Sequence, residues 1–262
     1  MVNPPEALWL CVNPHLKSFD QRLYEQLNLQ VDVQGWQYEQ SADGPCCIET
    51  ALALLHQQVQ QYFSPVHLLG HGLSGALGLL YTRLYPRNVT SLTLLSVGGN
   101  PAVNWHAHYY ALRKFLPCSR EAILVQMANM LWGVQGIVKA TSLANLLRHV
   151  LDTELAPHSL ADHSGFAPGG VEPPLLVCHG DYDVIVDPNA HRQWRQWLKP
   201  SDRLWSCPQG RHFFHYDHPK CCSQVILDFW QQTSSSLTPL SPSVSTLSMP
   251  LLGKTLSMPT QG

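Results

Sequence analysis

Short apolar runs alternate along the chain with segments of helical spacing. Six runs have the length and composition of buried parallel strands, and they lie at 7–12, 31–38, 66–69, 92–95, 175–178 and 203–206. Helical spacing falls between them, near 19–28, 46–62, 73–85, 188–199 and 219–233. This alternation predicts an α/β fold, with a mostly parallel sheet that carries helices on both of its faces.

The alternation is interrupted once, between the fourth and the fifth predicted strand. Residues 101–165 contain no strand-like run, but apolar positions recur there at helical spacing, as in Met127, Met130 and Leu131. The sequence therefore predicts a mostly helical insertion at about 101–165. It follows the carboxyl end of a strand, where open α/β sheets build their binding sites.

The carboxyl-terminal segment differs in composition from the rest of the chain. From 233 to 262 it is rich in Ser, Thr and Pro, which predicts a disordered tail after a domain at 1–232. The pentapeptide Thr-Leu-Ser-Met-Pro occurs at 246–250 and again at 255–259. The tail is thus either a plain solvated segment or a docking segment for a protein partner.

Composition narrows the classes of partner. Charged residues make up 13% of the chain and the formal net charge is −2, so there is no clustered positive charge for nucleic acid. No run of about 18 apolar residues is present, and the first residues lack the basic start of a signal peptide, which predicts a cytoplasmic protein without a transmembrane segment. The eight cysteines show no C-x-x-C spacing, so we expect reduced packing thiols and no metal site.

A glycine-rich turn at 66–76, with the sequence VHLLGHGLSGA, leads from a strand into a helix. Gly70, Gly72 and Gly75 fit the G-x-G-x-x-G fingerprint of dinucleotide sites. Such a site needs an acidic residue about 20 residues further on, at the end of the next strand. Because the chain has no Asp or Glu between Glu49 and Glu121, we expect no nicotinamide or flavin cofactor.

The same turn resembles the nucleophile elbow of the α/β-hydrolase superfamily, whose pattern is small-x-nucleophile-x-small. Gly70 and Ser74 take the small flanks, and Gly72 takes the nucleophile position. Two more motifs follow in the order of the superfamily: a G-x-x-D-x-x-V acid loop that ends the strand at 175–178, and a G-x-H loop after the strand at 203–206. On this resemblance, which covers about 7–232, the chain is identified as a degenerate member, and its insertion corresponds to the helical cap domain.

The resemblance implies a set of site residues. Asp183 corresponds to the triad acid and His212 to the triad histidine, whereas Gly72 offers no nucleophile. Ser74 lies about 200° further around the helix, so we expect its hydroxyl to face the packing instead of replacing the nucleophile.

Groups that bind an oxyanion or a ligand are expected at two places. The N–H of Leu73 opens the helix of the elbow and can donate to a carbonyl or anionic oxygen. The usual His-Gly oxyanion loop after the first strand is replaced here by Asn13-Pro14-His15, so Asn13 and His15 are the candidate donors on that side.

For function, the resemblance implies a pseudoenzyme that binds a ligand or serves as a scaffold without covalent catalysis, and a small apolar or acyl-type molecule is the expected ligand. Two enzymatic alternatives stay open. One is a lyase or oxygenase type of activity in which His212 and Asp183 act as a general base. The other is an esterase-like hydrolase with a non-standard nucleophile.

Overall fold

The computed structural model of the chain describes residues 2–156, 166–186 and 188–236. Within them, six strands form one sheet in the order β2-β1-β3-β4-β5-β6, and every pairing is parallel. The strands are β1 (Ala7–Cys11), β2 (Val33–Gln37), β3 (Val66–His71), β4 (Val89–Leu95), β5 (Leu175–Gly180) and β6 (Arg203–Cys207). The order reverses between β1 and β3, and the crevice beyond such a reversal is where open α/β sheets bind ligands.

The helices that cover the sheet lie in two layers. They are α1 (Gln21–Asn28), α2 (Ile48–Val59), α3 (Gly72–Leu84), α7 (Pro188–Arg192), α8 (Phe214–Asp217) and α9 (Pro219–Ser236). Leu8 and Leu10 of β1 belong to a core cluster with residues of α2 and α3, whereas Ala7 and Trp9 belong to a cluster with residues of α1 and α9. Helices therefore pack on both faces of the sheet, as the sequence predicts.

The insertion between β4 and β5 is helical. It contains α4 (Trp105–Phe115), α5 (Arg120–Trp132) and α6 (Ile137–Thr153). Asn104 and Ser119 cap α4 and α5, because their side chains accept hydrogen bonds from Ala107 N (3.1 Å) and Ala122 N (3.2 Å). The prediction of a helical insertion is confirmed over these residues, and its last part, 157–165, lies outside the described residues.

The insertion has an apolar core of its own that also includes residues of the main domain. Leu16, from the loop after β1, and Phe213, from the loop after β6, join the same cluster as Leu124 and Leu147 of the helices α5 and α6. The insertion is thus packed directly on loops at the carboxyl ends of the strands, the position of a cap.

Two segments differ from the sequence-based expectation. The helix predicted at 188–199 is only the short helix α7, followed by a 3-10 turn at Gln193–Gln196. Helix α9 continues to Ser236, into the predicted tail. Thr233 in its last turn is buried, and its hydroxyl donates to Trp230 O (2.8 Å). The rest of the predicted tail, with its repeated pentapeptide, lies outside the described residues. None of the described helices has the length and apolar character needed to cross a membrane.

Candidate active site

Strand β3 meets helix α3 in a turn that requires glycine at two positions. A Cβ on Gly70 would lie 2.8 Å from Gly75 N, and a Cβ on Gly75 would lie 2.7 Å from Val97 Cγ2. The absence of these side chains lets the helix begin directly against the end of the strand. Gly72 opens α3 with a φ of +51°. A nucleophile elbow holds its central residue in just such a strained strand-to-helix turn.

The side of Gly72 that would carry a side chain faces His212. A Cβ built on Gly72 lies 3.9 Å from His212 Nε2. Among the described residues, this nitrogen is the one atom within 4 Å of that Cβ once the adjoining chain and the backbone of α3 are left aside. A side chain at position 72 would therefore meet His212 Nε2 in ordinary van der Waals contact, as a serine at a nucleophile elbow meets its histidine.

His212 is buried and paired with Asp183. Its Nδ1 lies 2.9 Å from Asp183 Oδ2, and the other carboxylate oxygen, Oδ1, accepts hydrogen bonds from Ile185 N (2.9 Å) and Val186 N (3.1 Å). Burial raises the pKa of Asp183, but the charge and hydrogen bond of His212 and the two backbone donors outweigh it, so the pKa lies below its ordinary value. Asp183 is therefore an ionised acceptor that holds His212 with its proton on Nδ1.

The acid loop and the histidine loop are held against each other by backbone contacts. Tyr182 N donates to Gly210 O (2.8 Å) and Asp181 N donates to Cys207 O (3.0 Å). A Cβ on Gly180 would collide with the carbonyl group of Gly210. Gly180 thus allows the close approach that brings Asp183 within reach of His212.

The backbone of His212 is fixed by two further side chains. His71 Nε2 donates to His212 O (3.0 Å), and Ser96 Oγ donates to the same oxygen (2.7 Å). Burial, together with the imidazoles of His215 and His212, lowers the pKa of His71 well below its ordinary value. A neutral His71 with its proton on Nε2 is the form that this hydrogen bond requires.

Sequence reasoning overlooked one neighbouring pair and the role of Ser96. His215 Nε2 lies 2.9 Å from Asp20 Oδ1, and the rings of His215 and His71 are 4.7 Å apart. Asp20 and Ser96 follow no motif, and their partners are 195 and 116 residues away in the chain. No local signal in the sequence could have predicted these contacts.

The remaining predicted site residues are placed as follows. Ser74 is buried, and its Oγ accepts a hydrogen bond from Val12 N (3.0 Å), which joins the elbow to the loop after β1. Leu73 N occupies the second position of α3, where no carbonyl within the helix can accept from it. Leu73 and His212 thus both lie beside Gly72, and Ser74 is engaged on the β1 side.

Asn13 and His15 contact the end of the cap. Asn13 Nδ2 donates to Leu155 O (3.0 Å), while His15 N and His15 Nδ1 lie 2.8 and 2.5 Å from Glu154 Oε1. The side chain of His15 is 51% exposed and its Nε2 is 3.0 Å from His149 Nε2. In this structure the two side chains connect the β1 loop to the cap.

A cavity of about 780 Å³ opens at the opposite edge of the sheet, at the amino ends of the strands. Its lining includes His67, but this imidazole stacks on Trp230 and its Nδ1 lies 2.7 Å from Ser91 Oγ. Burial lowers the pKa of His67 to about 4. His67 is thus a neutral packing group, and we place the candidate site at Gly72 and His212.

Two further observations concern metals and thiols. Among the described residues, no three His, Cys, Asp or Glu side chains are arranged to hold a metal ion. The cysteines are all free thiols, and four of them, Cys11, Cys178, Cys207 and Cys222, are buried.

No family model matches the sequence. Two proteins of similar length match the sequence. The uncharacterized protein sll0249 of Synechocystis sp. is 40% identical over 243 residues, covering 90% of this chain and 97% of that protein. The uncharacterized protein alr2406 of Nostoc sp. is 38% identical over 226 residues, covering 86% of this chain and 90% of that protein. The chain belongs to their family.

Solved structures of low sequence identity share its fold. One is 2-hydroxy-6-oxo-6-phenylhexa-2,4-dienoate hydrolase from Rhodococcus sp., with a TM-score of 0.64 at 18% identity, covering 87% of this chain and 90% of that one. A haloalkane dehalogenase loop variant from Bradyrhizobium elkanii has a TM-score of 0.62 at 13% identity, covering 90% and 92%. This chain therefore has the α/β-hydrolase fold, as the sequence motifs imply.

Proposed function

We propose that this α/β-hydrolase-fold protein binds a small apolar or acyl-type ligand without forming a covalent bond to it. The observation that carries the proposal is the missing side chain at Gly72, where a built Cβ would lie 3.9 Å from a buried His212 Nε2. That nitrogen has no hydrogen-bond partner within the part of the chain that the structure describes. A buried polar atom normally has a partner, and a ligand atom beside Gly72 would supply the one that this nitrogen lacks.

The hydrogen bonds of the site define what the ligand must offer. In the neutral form of His212 with its proton on Nδ1 toward Asp183, Nε2 carries a lone pair and accepts a hydrogen bond from the ligand. Leu73 N–H, at the positive end of α3, donates to a ligand oxygen. The expected ligand therefore carries both a donor and an oxygen acceptor at one end.

Binding can be tested with octanamide and 1-octanol as probes, each of which carries a donor and an oxygen acceptor at one end, measured by ligand-observed NMR. Gly72→Asn is the informative variant, because asparagine tolerates a positive φ and its amide would fill the space beside His212. Gly136→Asn is a matched control, since a Cβ there meets nothing within 4 Å. We expect the probes to bind the native chain and the control but not Gly72→Asn. Equal binding by all three proteins would contradict the proposal.

A second candidate function is general-base catalysis by His212. The complete pair of Asp183 and His212 favours it, because a histidine oriented by a carboxylate can remove a proton from a bound O–H or C–H group without any nucleophile. A metabolite screen for turnover tests this function. Turnover that persists in His212→Ala would exclude it, and turnover that His212→Ala abolishes would replace the pure binding function.

The remaining alternative is an esterase with a non-standard nucleophile. The nearest hydroxyl in the elbow, that of Ser74, is already bonded to Val12 N. Labelling of the native chain by a fluorophosphonate probe would revive this alternative, and we expect none.

A further inference from the structure

The three most exposed large hydrophobic side chains that the structure describes lie together, in the turn between α5 and α6. They are Val134 (90% exposed), Ile137 (84%) and Val138 (78%). Burial in α6 begins only at Ala140, so the segment 134–139, which we call the cap tip, projects from the body of the cap. Apolar side chains that are exposed singly are ordinary, but three in one turn indicate a surface that binds something apolar.

The cap tip closes a hairpin of two antiparallel helices, and the acids of the cap lie at the other end of this hairpin. Between 101 and 156 the acids are Glu121, Asp152 and Glu154. Glu121 lies at the start of α5 and the other two lie at the end of α6, where Arg120 Nη1 is 3.2 Å from Asp152 Oδ2. Because the 13 residues of α5 span about 20 Å, these carboxylates are far from the cap tip.

The charge at the cap tip is positive. Lys139 is exposed in the first turn of α6, and the guanidinium of Arg211 lies against the turn, since a Cβ on Gly133 would be 2.6 Å from Arg211 Cζ. Among the described residues, neither cation forms an ion pair with an acid. The cap tip is also the amino end of α6, where the helix dipole is positive. Although the chain as a whole has a net charge of −2, this end of the cap is therefore cationic.

The cap tip lies beside the histidine loop of the candidate site. Trp132, the last residue of α5, stacks on Phe213 with ring centroids 4.8 Å apart and an interplanar angle of 1°. In the chain, Phe213 directly follows His212 and Arg211 directly precedes it. A surface that contacts the cap tip would therefore be next to the loop that carries His212.

The size and the charge of the cap tip favour a lipid surface over a protein partner. A stable protein–protein interface uses about 20–30 residues on each side, many more than this short segment offers. A lipid surface takes up a small group of aliphatic side chains into its headgroup region and attracts cations when it contains anionic lipids.

We propose that the cap tip docks on an anionic lipid surface. Val134, Ile137 and Val138 enter the headgroup region, and Lys139 and Arg211 contact the lipid phosphates. This docking goes beyond the proposed ligand site and does not depend on what that site binds.

Binding is measured by co-sedimentation of the full chain with vesicles of phosphatidylcholine alone, and with vesicles of phosphatidylcholine and phosphatidylglycerol in equal parts. We expect the chain to bind the anionic vesicles about fivefold or more tightly than the neutral ones, the ratio that one cation near an anionic surface produces. Binding to the anionic vesicles should weaken as the salt concentration rises, because salt screens the attraction.

The double variant Ile137→Gln, Val138→Gln tests the apolar contact, and Leu29→Gln is its matched control. Leu29, at the end of α1 in the main domain, is 75% exposed. We expect the double variant to bind anionic vesicles about tenfold or more weakly, the ratio that the loss of one aliphatic side chain from an apolar environment produces. Leu29→Gln should bind as the native chain does. Both proteins should keep the native melting temperature, because the replaced side chains are exposed.

Lys139→Gln tests the charge separately, with Lys220→Gln, exposed at the start of α9, as its control. We expect Lys139→Gln to bind anionic vesicles about fivefold more weakly and to bind neutral vesicles as the native chain does. Lys220→Gln should leave both affinities unchanged.

Three results would overturn the docking proposal: absence of vesicle binding, equal binding by the native chain and the double variant, or equal binding to neutral and anionic vesicles. A native dimer that the double variant dissociates, without vesicle binding, would make the cap tip an interface between two copies instead. Gly72→Asn should bind vesicles as the native chain does, so the outcome is separate from whether octanamide binds beside Gly72.

Discussion

Restoring a nucleophile at Gly72 is the sharpest test of how this elbow is built. In Gly72→Ser the new Cβ would lie 3.9 Å from His212 Nε2, and it meets no other described atom within 4 Å beyond the adjoining chain and helix. The serine hydroxyl, one bond further out, can then reach the hydrogen-bonding distance of about 2.6–3.2 Å from that nitrogen. Since Asp183 already orients His212, one substitution completes a triad.

The substitution has a cost in stability that the structure defines. Gly72 has a φ of +51°, and an L-residue in this left-handed region costs about 1–2 kcal/mol. For a domain of this size that corresponds to a decrease in melting temperature of about 2–4 °C per kcal/mol. Gly72→Ala should show the same decrease, because it adds the same strain without the hydroxyl, and it therefore serves as the control for folding.

A fluorophosphonate probe with a fluorescent reporter measures the reactivity of the new serine. We expect labelling of Gly72→Ser and none of Gly72→Ala or the native chain. Adding His212→Ala to the serine variant should slow labelling by about 10²- to 10⁴-fold, the contribution of a positioned general base. If folded Gly72→Ser labels no faster than Gly72→Ala, the assignment of Gly72 to the nucleophile position is refuted. Labelling of the native chain would refute the loss of the nucleophile.

Three further predictions test the packing, the acid response and the cap. Gly75→Ala should lower the free energy of unfolding by about 1–3 kcal/mol in chemical denaturation, because its Cβ would lie 2.7 Å from Val97 Cγ2, whereas Gly136→Ala should be neutral. His106 has a pKa lowered to about 3, so the unfolded chain binds its proton first as the pH falls below about 6.5. The contribution of His106 to the free energy of unfolding is therefore complete above that pH and decreases by about 1.4 kcal/mol per pH unit below it. Urea titrations between pH 7 and 5 should show a shallower decrease of the free energy of unfolding for His106→Phe than for the native chain. Glu154→Ala should cost about 1.5–3 kcal/mol in the same assay, because the buried carboxylate accepts two hydrogen bonds from His15; an unchanged midpoint would show that this link does not hold the cap.

The fold could be predicted from sequence because its signals are local. Each strand is a short apolar run, whereas the helices between them have apolar positions at helical spacing. The resulting alternation of strands and helices predicts a parallel α/β sheet. The motif glycines were equally informative, since Gly70, Gly75 and Gly180 occupy places where a Cβ would collide with neighbouring atoms. Each of these glycines allows two chain segments to come into close contact. Such a requirement fixes the position of the glycine within its motif, so it can be read from the sequence.

The supporting contacts of the site could not be predicted in the same way. Nothing in the sequence around Ser96 marks it as the donor to His212 O, because the two residues meet only after β4 and the loop beyond β6 are placed side by side. The predicted ligand groups Asn13 and His15 show the converse: their position after β1 matches the expected loop, yet the cap supplies nearer partners in Leu155 and Glu154. Local motifs identify which loops form the site, and long-range packing decides which side chains remain available.

The energetics of the pair at Asp183 and His212 argue that the site is more than a remnant of a catalytic triad. An ionised carboxylate and an imidazole are buried here, and apolar residues of similar volume would often stabilise such a position at least as well. Here two backbone N–H groups donate to Asp183, and the side chains of His71 and Ser96 donate to the carbonyl of His212. The result of all these contacts is a fixed His212 whose Nε2 would lie 3.9 Å from a Cβ on Gly72 and has no hydrogen-bond partner among the described residues. A buried imidazole held by this many contacts is expected where a ligand binds to it, and this supports the proposed ligand beside Gly72.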